Sequence, residues 1–150
     1  MTSEPSGGPY VAMATFCEKV LQEKDGVFSI IRAIDRITIS MSGPGAPTEM
    51  PAGVINYPIV ITLRSGFAKG RYNLTLQPQS PSGKILGQVS VGILLEGDDR
   101  SANVILNANI AAPEEGLYWF DVLLEDQLLT RIPMRLIYQR MSQGPLPSPA

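Results

Sequence analysis

Seven acidic residues crowd three short turns of this chain: Glu23 and Asp25 before Gly26, Glu96 with Asp98 and Asp99 before Arg100, and Glu125 with Asp126. Calcium takes about six to eight oxygen ligands from carboxylates and carbonyls, so acidic turns are where such an ion would sit. If successive strands reverse direction, all three turns emerge at one end of a sandwich, and Asp25, Asp98, Asp99 and Asp126 become its candidate ligands. No Asp-x-Asp-x-Asp ladder is present, and Lys24, Lys69 and Arg100 lie nearby in sequence. Plain soluble turns are therefore the expectation, with no cofactor and calcium as the alternative.

Other chemistry is excluded by residue type. The chain has no His and one Cys, Cys17, which removes Ser-His-Asp and Cys-His machinery and the usual tetrahedral zinc sites. Cys17 itself reads as a small hydrophobe on the first strand; a reactive thiolate would need a stabilising charge such as Lys19. The Gly-rich run Gly43–Gly53, GPGAPTEMPAG, lacks the Lys-Ser/Thr ending of a phosphate loop, and its prolines remove amides that a phosphate would need. It reads as a mobile surface loop. Pro44–Pro47 and Pro78–Pro81 have polyproline-ligand spacing that is common in loops, and Asn73-Leu74-Thr75 is a chance glycosylation match inside a strand. Asp35 interrupts the apolar face of Ile31, Ile37 and Ile39, where an ion pair with Arg32 or Arg36 is expected.

With little chemistry to position, the elements themselves carry the information. The 150 residues fit one domain, long enough to bury a core without metals or disulfides. Charged residues make up 17%, which is low for a domain whose whole surface meets water, so a partner is expected to cover part of it. Twelve basic and fourteen acidic residues give a net charge of -2, with no basic field for nucleic acid. No apolar run reaches membrane-helix length, and MTSEPSGGP is unlike a secretory signal, so the protein is read as cytoplasmic.

Residues 1–9 and 141–150, rich in Gly, Pro and Ser, are expected to be disordered tails around a domain spanning 10–140. Asp25-Gly26 predicts a hairpin between a strand through Cys17, with a helical turn after it, and the β-branched run VFSIIRAIDRITI. Strands follow at Tyr57–Arg64, Gly70–Gln77, Lys84–Leu95, Asn103–Ala111, Leu117–Glu125 and Leu128–Tyr138. About eight short strands at near-regular spacing predict an all-β, single-domain antiparallel sandwich.

The last two strands are the most informative. Tyr118, Phe120, Val122 and Leu124 share one face of the first; Leu128, Thr130, Ile132, Met134, Leu136 and Tyr138 share one face of the second. Pro133 places the second strand at a sheet edge or on a bulge, guarded by Arg131 and Arg135. The other face of the first strand carries Leu117, Trp119 and Leu123, apolar residues that a single core does not need. GRYNLTL at Gly70–Leu76 echoes GLYWFDV at Gly116–Val122. Glu115-Gly116-Leu117-Tyr118 matches the acidic-Gly-x-Tyr entry to the F strand of immunoglobulin-like domains, although Phe120 replaces the usual Cys.

The segment KVLQEKDGVFSIIRAIDRITI, with Asp25, Gly26, Asp35, Arg36 and Ile37 in place, resembles the N-terminal signature of a family of small uncharacterised bacterial β-sandwich proteins, the domain of unknown function DUF6941. Gly116–Val122 and Ile132–Leu136 are similar to motifs of the same family's later half. Val27 and Phe28 depart from its Lys-Leu, and Arg32 or Ala33 stands where a Gly is common. The resemblance implies a β-sandwich fold and no catalytic residues.

Low charge, two-sided apolarity at Leu117, Trp119 and Leu123, Pro-rich tails and missing catalytic types together predict no enzyme. The expected role is a protein-binding or self-assembling module, a homo-oligomer or part of a larger assembly, without nucleic acid or membrane partners. The alternative is a small-ligand or carbohydrate-binding sandwich, in which Trp119 and nearby Tyr residues form a stacking platform, with calcium as a possible accessory.

Overall fold

A computed structural model describes residues 7–141, which form nine strands in two sheets. They are β1 (Tyr10–Gln22), β2 (Phe28–Ile34), β3 (Arg36–Ser42), β4 (Gly53–Arg64), β5 (Lys69–Gln79), β6 (Val89–Glu96), β7 (Ser101–Ala112), β8 (Gly116–Leu124) and β9 (Gln127–Met141). One sheet has the order β2-β1-β4-β7, the other β3-β9-β8-β5-β6.

Alternation builds the core between them. Ile55, Ile59, Ile61 and Leu63 of β4 face Leu74 and Leu76 of β5 and Tyr118, Phe120 and Val122 of β8, all buried. Phe16 meets Phe120 edge to face, ring centroids 4.8 Å apart and planes at 80°. Each of these side chains contributes roughly 1.5–3 kcal/mol by leaving water, which holds two otherwise separate sheets together.

The Asp25-Gly26 hairpin is present, with β1 antiparallel to β2, and β1 stays extended to Gln22 where a helical turn was expected. The run after the turn is two strands. β2 ends at Ile34 on the edge of one sheet, Asp35 turns the corner, and β3 starts at Arg36 on the edge of the other, parallel to β9. The side chains packed against the core change parity across this corner, from Ile34 to Ile37 and Ile39, while the β-branched composition continues and reads as one strand. β6 begins only at Val89, with Lys84–Gln88 outside any strand.

β9 is internal, between β3 and β8, which corrects the expected edge position. Pro133 nevertheless meets a local edge. The Arg135 amide donates to Asp35 O at 2.9 Å, so odd-numbered residues here turn their amides away from β8. Pro133 comes two residues before β3 begins pairing, and the donor it lacks would have pointed into an open stretch. A register shift at Val122/Leu123 also moves Leu128 opposite Leu123, to the outer face, where it is 50% exposed; Leu129 packs against the core instead.

The Gly43–Gly53 loop is anchored, not a loose surface loop: Ala46 and Met50 are buried, and Tyr138 Oη donates to Pro47 O at 2.6 Å. Most of the predicted tails lies outside the described residues. Gly7 O accepts the Phe67 amide at 2.8 Å, and β9 runs through Met141, so order extends slightly beyond both expected boundaries.

Candidate functional site

The acidic turns do not share one end. Tyr10 at the start of β1 pairs with Arg64 at the end of β4, which in turn pairs with Ser101, so the Asp98–Asp99 turn and the start of β1 are at one end. β1 then runs away from that end, placing Glu23 and Asp25 at the opposite one. Glu125 and Asp126 lie on the Asp98–Asp99 side, but Glu125 is engaged: its Oε1 accepts the Asn73 amide at 2.7 Å and its amide donates to Asn73 O at 3.0 Å. Among the described residues no three Asp, Glu or Cys side chains converge on a point that could hold an ion. The idea of four aspartates gathered around calcium fails at the topology: β2 and β3 are two strands that reverse at Asp35, and this additional reversal puts the Glu23–Gly26 turn at the end opposite the other two.

Asp35 pairs with Arg36 at 3.6 Å, both side chains well exposed, while Arg32 bridges Glu18 at 3.0 Å instead. Cys17 is buried, and burial pushes its thiol above the ordinary value, with the Lys19 amide that bonds the sulfur pulling weakly the other way. A protonated, inaccessible thiol is a poor nucleophile.

Leu117, Trp119 and Leu123 sit on the outer face of β8, each partly exposed, because the alternate residues Tyr118, Phe120 and Val122 take the core side. The register extends this line sideways. Leu117 neighbours Arg135, Trp119 neighbours Pro133 and Gln79, and Leu123 neighbours Leu128 and Thr75. Leu128, displaced by the bulge, is the member of this surface that sequence alternation missed. Arg131 ties the middle together: Nε donates to Asp121 Oδ1 at 2.7 Å, a terminal nitrogen donates to Gln79 Oε1 at 3.1 Å, and its guanidinium carbon lies 4.7 Å from the Trp119 ring centroid.

Beside Leu117, where β3 joins β9, a depression of about 390 Å³ is lined by Asp35, Arg36, Leu117, Pro133 and Arg135. The surface thus combines an apolar row, a fixed polar centre and a shallow concavity with two guanidinium groups. Its carboxylates are paired, Asp35 with Arg36 and Asp121 with Arg131. It can bind, and its apolar content suits a dry contact.

The entrance to β8 defines the class. Tyr118 Oη donates to the Glu114 carbonyl and accepts the Glu114 amide, closing a tyrosine corner at the turn between β7 and β8. With β1, β4 and β7 in the order of strands A, B and E, and β5, β8 and β9 in that of C, F and G, the domain is an immunoglobulin-like β-sandwich. The chain belongs to the Family of unknown function (DUF6941), whose model matches residues 12–137. Among solved structures it is similar to an immunoglobulin-like protein from Pseudomonas aeruginosa, at 14% identity and a TM-score of 0.42, covering 85% of this chain and 95% of that one. No curated protein matches it.

Proposed function

We propose that this chain is a non-catalytic β-sandwich module that binds protein through the outer face of β9, β8 and β5, within a homo-oligomer or a larger assembly. One observation carries the reading: Leu117, Trp119, Leu123, Leu128 and Pro133 form an apolar row on a sheet face that the core does not use. Partly exposed Trp and Leu around a fixed Arg are the composition of interface centres, where a few such residues dominate binding. Arg36 and Arg135 beside Leu117 favour a partner that presents a carboxylate at that point.

A carbohydrate platform fits less well. Stacking needs a free aromatic face, and Arg131 already lies over the Trp119 ring.

The test is a paired substitution, Leu117→Ser with Leu123→Ser, in the full chain. Partner recovery from the native cell should fall at least tenfold while the melting temperature moves little, since both residues are already partly in water. Undiminished recovery of the same partners would refute the assignment.

A further inference from the structure

We propose that the open edge of β7 is a strand-addition site, and that its occupant is β7 of a second copy of this chain, pairing antiparallel to join two four-stranded sheets into one of eight strands. This surface is separate from the outer face of β8 and does not depend on it.

Three observations point there. Constant-type immunoglobulin domains place a further strand beside the one in the β7 position; here the turn Gly97–Arg100 leads from β6 straight into β7, and among the described residues no strand takes that place. The Ser65 amide donates to Arg100 O at 2.9 Å, in line with the Arg64 to Ser101 register, so even-numbered residues of β7 bond to β4. Asn103, Ile105, Asn107 and Asn109 therefore turn their amides and carbonyls to the open side, a row that only another extended backbone matches in full. Between this edge and β6, a groove of about 370 Å³ reaches core residues Leu76 and Phe120.

The other edges are guarded and this one is not. β2 carries Arg32 in a left-handed conformation at φ 55°, β3 is seven residues long and opens on Arg36, and β6 holds Gly92 and ends on Glu96. β7 runs twelve residues in unbroken register without a charge, a proline or a bulge. That pattern admits a second copy, because self-pairing about a two-fold sets no like charges opposite each other along the strand. The chain's own residues 142–150 are a poor occupant, since their three prolines lack amides. Two-fold pairing also abuts the apolar grooves of the two sandwiches and consumes both open edges, so the assembly closes.

The experiment is sedimentation of the full chain over a concentration series, with hydrogen exchange read at single amides. Expected are a monomer–dimer equilibrium and protection of the Asn103, Ile105, Asn107 and Asn109 amides that rises with the dimer fraction. Asn107→Pro, which removes one outward donor, and Ile105→Lys, which puts a charge on the edge, should each give monomers with unchanged circular dichroism; if the proline variant misfolds, Ile105→Lys decides. Trp119→Ala should leave the dimer intact. A monomer at every concentration, a dimer indifferent to Ile105→Lys, fast exchange of those amides within the dimer, or loss of the dimer in Trp119→Ala would each overturn the proposal.

Discussion

Arg131 lies across Trp119, its guanidinium carbon 4.7 Å from the ring centroid, and Asp121 holds it there through a 2.7 Å bond to Nε. The three residues sit on adjacent strands of one face, so the ring orientation is fixed before any partner arrives. A preorganised aromatic loses little freedom on binding, which is how half-exposed apolar surface becomes affinity.

Removing the guanidinium should uncover the indole. Arg131→Ala is expected to cost about 0.5–1 kcal/mol, because the contact is partly solvated. Trp119 is the only tryptophan, so acrylamide quenching of its emission reads this directly: quenching should rise in the variant. Unchanged quenching would show that Arg131 does not cover the ring.

Tyr118→Phe should destabilise the domain by about 1–3 kcal/mol in urea unfolding, since it strips the Glu114 amide and carbonyl of their shared partner at a buried corner. The hydroxyl also predicts a pH dependence. Burial, with the Glu114 charge as a lesser cause, raises its folded-state value above the ordinary 10.0, so the unfolded chain ionises first. The contribution is fully present below that ordinary value and is lost as pH rises through the raised one. In the Phe variant this part of the alkaline decline should vanish, which a Tm series across that range would show.

Two left-handed residues should accept glycine with profit. Arg32 has φ 55° and Asp126 φ 68°, conformations that L side chains adopt at a cost. Arg32→Gly and Asp126→Gly should each raise stability by roughly 0.5–1 kcal/mol, the first despite losing an exposed ion pair to Glu18 that is worth little. Thermal unfolding of the single variants checks both, and a fall in Tm would mean that the ion pair or the turn contacts outweigh the backbone strain.

The Cys17 thiol should be silent in the native state. Buried and held protonated, it should react with a thiol reagent only as fast as the first strand opens, and at full rate in urea. Equal rates in both conditions would contradict its placement.

Much of this was legible from residue order, and the failures have physical causes. Alternation in β8, and in β9 from Ile132 to Leu136, identified the core face because the other face of each meets water. Asp25-Gly26 marked its hairpin because the turn demands positive φ, and Gly26 has φ 86°. The echo of GRYNLTL and GLYWFDV has a conformational basis, since Gly70 and Gly116 open their strands at φ 131° and 132°. What was not read were the change of sheet at Asp35, which a continuous β-branched run disguises although the core-facing parity shifts between Ile34 and Ile37, and the parallel pairing of β3. The bulge that exchanges Leu128 for Leu129 also breaks the period, but only a partner strand reveals where. The acidic turns misled because the run after Gly26 reads as one strand, whereas it is two that reverse at Asp35, and one additional reversal moves every later turn to the other end.

Whether this chain works by binding protein on the outer face of β8 is tested most directly by a photo-crosslinking residue at Leu123, within that face, against a control at Ser29 on β2, both in the full chain in its native cell. The account predicts discrete protein adducts from position 123 that disappear when Trp119→Ala is added, and none of the same mass from position 29. Adducts that are the same from both positions, or that survive Trp119→Ala undiminished, would contradict it.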